Sequence, residues 1–290
     1  MSGLYIHSAS AFIGQAQADT NLLKEELQKY TRENFRRVNR FILLALIGVH
    51  QCIQGRSVAA DTAVYLTTEH GNLGDTVAVL DEIYTAHSLP KPFGFINTMS
   101  NTAAFYLAQS LGIRGRNLTV SSQCLSFERG LDLLMADFAA GAERSALIGG
   151  VDVAPLLGAG KEDPDTRGGR TIDGSGWFYI RAEREGACGV FRENRSFKDD
   201  STCFEWIREH ESSSIDVMAF GESISKDEAD HWRETLRPSV EFSYLNDYGY
   251  CGSAAACGIG KFVKDFPGRS LLHINRDQRG SHAVLEVDVF

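Results

Sequence analysis

Apolar residues along the chain follow two periods. Short apolar runs at 4–8, 61–67, 118–120, 146–148, 177–180, 187–191, 215–220, 241–245, 271–274 and 283–287 predict strands. Apolar positions at helical spacing predict helices over 21–30, 34–54, 76–88, 97–111, 203–211 and 226–236. Another helix runs from Cys124 towards Gly141, and a Gly/Ala-rich one follows Gly249. Strands and helices alternate, which predicts an α/β fold. The pattern divides into two halves, 1–183 and 184–290, which repeat a rough β-α-β-α-ββ plan without sequence similarity; the second is shorter. The helix over 34–54 has a wide apolar face built from Phe35, Val38, Phe41, Ile42, Ala45, Leu46 and Val49. Arg36, Arg37 and Arg40 stand at its start, the unfavourable end of a helix dipole for cations. They are expected to be solvated, or else to face a carboxylate or an anionic partner.

Composition narrows the setting. With 43% hydrophobic and 23% charged residues, the 290-residue chain is ordinary globular protein with room for a large core. A net charge of −9 argues against a nucleic-acid partner. The longest apolar run, 41–49, is far short of the roughly 20 residues that span a bilayer. The N-terminus has no basic segment ahead of its apolar residues, so no signal peptide is expected. Six cysteines, at 52, 124, 188, 203, 251 and 257, form no CxxC pair. Reduced thiols, a cytoplasmic setting, no metal site and no cofactor are expected. The Gly- and charge-rich segment 158–169 is the best candidate for a loop or lid.

The stretch 117–152 carries the candidate chemistry. A strand at 118–120 runs into Ser121, Ser122, Gln123 and Cys124, and a helix begins at once. A second strand, 146–148, ends in Gly149-Gly150. A thiol at such a turn faces exposed backbone N–H groups and the positive end of the helix dipole, which favours thiolate. Cys124 is therefore a candidate nucleophile, the alternative being a buried structural thiol.

These residues resemble the β-ketoacyl synthases of the thiolase superfamily. Asn101, Ala103, Ala104, Leu111-Gly112 and Arg114-Gly115 are similar to the stretch leading to that family's nucleophile. Val120-Ser121-Ser122-Gln123-Cys124 resembles the nucleophile strand, with Cys124 at the nucleophile. Gly141 and the segment 146–152 (ALIGGVD) resemble its double-glycine strand, and Asp173-Gly174-Ser175-Gly176 its DG-x-G motif. The resemblance implies a five-layer αβαβα thiolase-like fold made of two such halves, 1–183 carrying Cys124 and 184–290 shortened.

The second half departs from that family's pattern. The first of two family histidines would stand where Phe220 is, and the second where Tyr250 is. Asn246 and Asp247 occupy the region of the family's lysine, and Asp277-Gln278-Arg279-Gly280-Ser281-His282 replaces its Gly-Phe-Gly-Gly gating loop. Claisen condensation needs a thiolate, an oxyanion hole and imidazole donors for the enolate left as carbon dioxide departs. Phe220 donates nothing, and an ordinary phenol at Tyr250 is a poor base at neutral pH. His282 is a candidate replacement. His70, His210 and His231 are expected at the surface, and His7, His50, His87 and His273 have no helpful context. A thiol hydrolase would need a downstream histidine base and an orienting acid, and no convincing pair exists.

The resemblance is strongest to short, degenerate, chain-length-factor-like subunits of aryl polyene or type II polyketide systems. It implies a subunit without condensing activity of its own, paired with an active ketosynthase and served by an acyl carrier protein. The alternative is a divergent synthase or acyltransferase using Cys124. The family's pairing across its dimer implies that Asn117, Leu118, Thr119, Val120, Ser121 and Ser122 form the partner seam. Phe127, Met99 and Phe105 are then tunnel-length candidates, with core packing as the plainer expectation.

Overall fold

The computed structural model of the protein describes residues 3–15, 19–154, 171–209 and 215–290. The loop candidate 158–169 and His210 lie outside them. The first half contains β1 (Leu4–Gln15), α1 (Thr20–Leu27), α2 (Arg40–Cys52), β2 (Ala63–Thr67), α3 (Leu73–Tyr84), α4 (Pro92–Asn97), α5 (Asn101–Leu111), β3 (Asn117–Val120), α6 (Ser126–Ala139), β4 (Ser145–Asp152) and β5 (Ile172–Arg181). The second contains β6 (Gly189–Phe197), α7 (Asp200–Glu209), β7 (Val217–Phe220), α8 (Lys226–Leu236), β8 (Val240–Glu241), α9 (Tyr244–Tyr248), α10 (Ala254–Asp265), β9 (Ser270–Arg276) and β10 (His282–Val289).

Among the described residues the strands hydrogen-bond in the order β3-β2-β4-β5-β1-β6-β10-β9-β7-β8. Counted within each half, both follow one arrangement: third, second, fourth, fifth, first. The two first strands meet at the centre, where Tyr5 pairs antiparallel with Val190. In both halves the second strand is parallel to its two neighbours, and the fifth is antiparallel to its own.

Side-chain alternation along these strands sets the layers. Tyr65, Ile148, Phe178 and Ile180 face one core, while Val64, Leu66, Leu147 and Trp177 face another. Val217, Leu271, Leu285 and Val287 of the second half reach that first core from the opposite side. Between the two halves of this sheet lie α6, through Phe127, Leu131 and Leu134, and α10, through Ala256, Ile259 and Phe262. α1, α2 and α5 cover the outer face of the first half of the sheet, and α7 and α8 that of the second. The result is the five-layer αβαβα arrangement, in a chain whose second half is short. No helix among the described residues is long and apolar enough to cross a membrane.

Several elements differ from the pattern. α2 begins at Arg40 rather than 34, because Asn39 caps it by accepting from Ile42 N. Arg40 is not solvated. Its guanidinium meets Asp173, whose side chain is 1% exposed. Arg37 lies over the Phe93 ring. The expected helix over 97–111 begins at Asn101 as α5, and the short α4 precedes it, from Pro92 to Asn97. The expected strand over 241–245 stops at Glu241, since Tyr244 turns inward to His273. The glycines of the Asp173-Gly174-Ser175-Gly176 motif let β5 and α10 touch. A Cβ on Gly176 would stand 2.6 Å from the backbone of Ala256 and Cys257.

Candidate functional site

β3 delivers the chain to a turn in which Gln123 takes φ 52°, the left-handed region. Ser126, the first residue of α6, ties this turn down. Its Oγ accepts from Ser122 N and lies 2.9 Å from the Thr68 carbonyl. Cys124 precedes the helix. Its Sγ donates to the Arg276 carbonyl at 3.2 Å and accepts from Ser223 Oγ at 3.8 Å. Burial pushes the thiol up to about 11; Ser223 opposes this, and the charges of Glu69, Glu128 and Asp277 add to it. The helix dipole predicts a thiolate, but desolvation and nearby carboxylates outweigh it.

A cavity of about 330 Å³ opens beside Cys124. Glu69 and His70 reach it from the loop after β2, and Gln123 and Cys124 from the turn. Glu222 and Ser223 follow β7, Tyr250 precedes α10, and Gln278 lies between β9 and β10. The Tyr250 hydroxyl donates to Glu69 Oε2 at 2.8 Å. Burial first, then Glu69 and Glu222, hold the phenol far above its ordinary value. Asp152, at the end of β4, fixes the Glu69 backbone. It accepts from Thr68 Oγ1, Glu69 N and His70 N at 2.8, 3.1 and 3.0 Å. Burial raises its carboxyl to about 6, with these hydrogen bonds opposing.

The other sequence candidates are dispersed. Phe220 lies at the end of β7 in a neighbouring cavity of about 510 Å³, which shares Glu222 and Tyr250 with the first. The Arg233 guanidinium sits over its ring. His282 lies on β10, 1% exposed, with Nδ1 3.1 Å from the Gly280 carbonyl and 3.5 Å from Asp200. It does not line the Cys124 cavity. Asp200, Glu228 and His282 bring possible ligand atoms within 4.8 Å of one another. Glu228, however, is already engaged by Ser225 and Arg276. His70 is exposed, as expected, and also borders the cavity, with Nδ1 3.9 Å from Glu69, beyond hydrogen-bond distance. Phe127 packs against Phe178 in the core, whereas Met99 and Phe105 are exposed.

Asn117, Leu118, Thr119 and Val120 form the edge strand β3, and Ser121 and Ser122 continue from it. Val64 N bonds to Arg116 O and Thr68 N to Val120 O. The alternate residues, 117, 119 and 121, therefore turn their backbone groups to the open edge.

A buried network beneath Cys124 is absent from the sequence expectations. Asn275 Nδ2 lies 3.0 Å from the Cys124 carbonyl and 2.9 Å from Glu128 Oε1. His273 Nδ1 is 3.7 Å from that same carboxylate, and its Nε2 is 2.9 Å from the Tyr244 hydroxyl. Burial raises Glu128 to about 7 and lowers His273 to about 4, so both favour the neutral form. One signal was available: Glu128 shares a helix face with Leu131, one turn away.

The sequence model described as "Beta-ketoacyl synthase, N-terminal domain" matches residues 5–158. No curated protein sequence matches the chain. Among solved structures it is similar to the ishigamide ketosynthase/chain length factor, at 16% identity and TM-score 0.75, covering 99% of both chains. It is similar at 12% identity and TM-score 0.69 to a type II PKS acyl-carrier protein in complex with its ketosynthase bound to the hexaketide, covering 99% of both. Ketosynthase twelve of the bacillaene polyketide synthase in Bacillus amyloliquefaciens matches at 11% identity and TM-score 0.71, covering 100% of this chain and 73% of that one. At such identities the likeness is one of fold.

Proposed function

The chain belongs to the β-ketoacyl synthase family, and we propose that it is a non-catalytic, chain-length-factor-like member. It pairs with an active ketosynthase and shapes the tunnel for an acyl or polyene chain, in polyketide or fatty-acid elongation on an acyl carrier protein. One observation carries this. Where the family's second histidine would stand, Tyr250 gives its only proton to Glu69. Phe220, in the place of the first, offers no donor at all. Enolate stabilisation has no imidazole there. The Cys124 proton rests on a backbone carbonyl.

The open edge of β3 supports the partner seam. Thr119→Pro would remove an outward N–H while leaving the bonds to β2, a change that edge strands tolerate. Co-expression with a ketosynthase encoded nearby, followed by sizing, tests the assignment. A one-to-one complex is expected, lost in Thr119→Pro with the circular dichroism of the chain unchanged. Unaided elongation of an acyl-carrier thioester by the purified chain would refute it.

His70, which lines the same cavity as Cys124, favours a second role, acyl transfer. Sγ would attack a thioester carbonyl, forming a new S–acyl bond as the carrier thiolate leaves. His70 would take the proton from Cys124 and return it to the leaving thiol. An acyl adduct in intact-mass spectra, absent in Cys124→Ala and slowed in His70→Ala, is the signature. No adduct with any acyl donor excludes it.

A further inference from the structure

The carboxylates beside Cys124 give its cavity one sign of charge. Glu69 and Glu222 both line it; Tyr250 donates to Glu69, and both carboxylates raise the phenol. Asp152 lies behind Glu69, holding its N–H. Gln123, Ser223 and Gln278 on the wall are neutral. Among the described residues, no lysine or arginine lines this cavity. Arg276 lends Cys124 its carbonyl, but its guanidinium is paired with Glu228. Lys226 and Arg233 line the neighbouring cavity, and Arg233 is paired with Asp230 and Glu241. His70 supplies at most one positive charge against two carboxylates.

We propose that Glu69 and Glu222 make the Cys124 cavity charge-selective: it admits neutral and cationic groups and turns carboxylates away, a malonyl unit among them. A like charge held about 5 Å away at an effective dielectric near 20 lowers occupancy by roughly two orders of magnitude. This deepens the non-condensing role and rests on it. Losing the histidines removes the groups that act on a malonyl carboxylate, and the carboxylates keep that unit from reaching the thiol. An uncharged acyl group is not excluded.

The test reads the thiol itself. Three methanethiosulfonates are compared, carrying a trimethylammonium-ethyl, a sulfonato-ethyl or a methyl group. The Cys124 thiolate attacks the sulfenyl sulfur, a disulfide forms and methanesulfinate leaves with the electron pair. The thiol proton goes to solvent. Labelling of Cys124 in the full chain is followed by peptide mass mapping, with 2-mercaptoethanol as the free-thiol standard. The cationic-to-anionic rate ratio is expected to exceed the standard's by about tenfold or more. Glu69→Gln combined with Glu222→Gln keeps acceptor oxygens for Tyr250 and should bring the ratio close to the standard's. In the unaltered protein, iodoacetamide should likewise outpace iodoacetate at Cys124 by more than at 2-mercaptoethanol.

A native ratio equal to the standard's overturns the proposal. So does failure of the neutral reagent to reach Cys124, or full selectivity surviving in the double variant. None of these rates depends on a partner. A chain that fails to bind a ketosynthase, or that condenses unaided, would therefore be told apart from a chain without charge selection.

Discussion

The Tyr250 hydroxyl and Glu69 Oε2 lie 2.8 Å apart, across 181 residues of sequence and from opposite halves of the chain. The pair joins the loop after β2 to the turn before α10. Glu69 is in turn held through its N–H by Asp152. The two halves together thus give the Cys124 cavity an acidic, already bonded wall.

Tyr250→Phe removes the donor and leaves the Glu69 carboxylate, only 14% exposed, beside Glu222. A stability loss of about 1–3 kcal/mol is expected from urea denaturation. Combined with Glu69→Gln, the loss should fall below the sum of the single changes, because the two groups share one interaction.

Glu128 and His273 should tilt the pH dependence of stability in opposite senses. Glu128 is raised from 4.5 to about 7, so its contribution is complete below pH 4.5 and is lost as pH rises through 7. His273 is lowered from 6.5 to about 4, so its contribution is complete above pH 6.5 and is lost as pH falls through 4. The two slopes oppose each other between pH 4.5 and 6.5. Glu128→Gln should expose the histidine slope, and His273→Asn the carboxyl slope. Each should approach about 3 kcal/mol in urea midpoints taken from pH 4 to 8.

Arg40→Met should leave the Asp173 carboxylate buried, with the Ala154 N–H still donating to it. A loss of about 3–5 kcal/mol is expected near neutral pH. Burial already raises this carboxyl, with Arg40 opposing. Without Arg40 it rises further, so acidification should recover stability in the variant. Adding Asp173→Asn should recover part of the loss at pH 7.

Gly176→Ala drives a methyl group into the α10 backbone, 2.6 Å from Ala256 and Cys257. Neither sheet nor helix can yield without shifting a layer. A loss of roughly 3 kcal/mol or more, or failure to fold, is expected from thermal denaturation compared with the native chain.

The order of strands and helices, the thiol at the turn after β3 and the absence of histidine at 220 and 250 are legible from the residues alone. These are local properties. Apolar alternation, helical spacing and a residue's identity are legible without knowing what lies across the fold. The Asp173-Gly174-Ser175-Gly176 motif was legible too, though not its cause, which is the approach of α10 to Gly176. The charge state of the site, by contrast, is set by the fold. Cys124 lies ahead of a helix, as its sequence says, yet burial and the carboxylates around it keep it protonated. His70 is exposed as its sequence suggests, whereas Glu69 beside it is half-buried because the loop after β2 meets Tyr250. Arg40 looked solvated until β5 brought Asp173 to it. Glu128 and His273, 145 positions apart, become a pair only when α6 is sandwiched between the two halves of the sheet. Desolvation and Coulomb attraction depend on distances in space and on the burial created by every layer together. No window of sequence contains them.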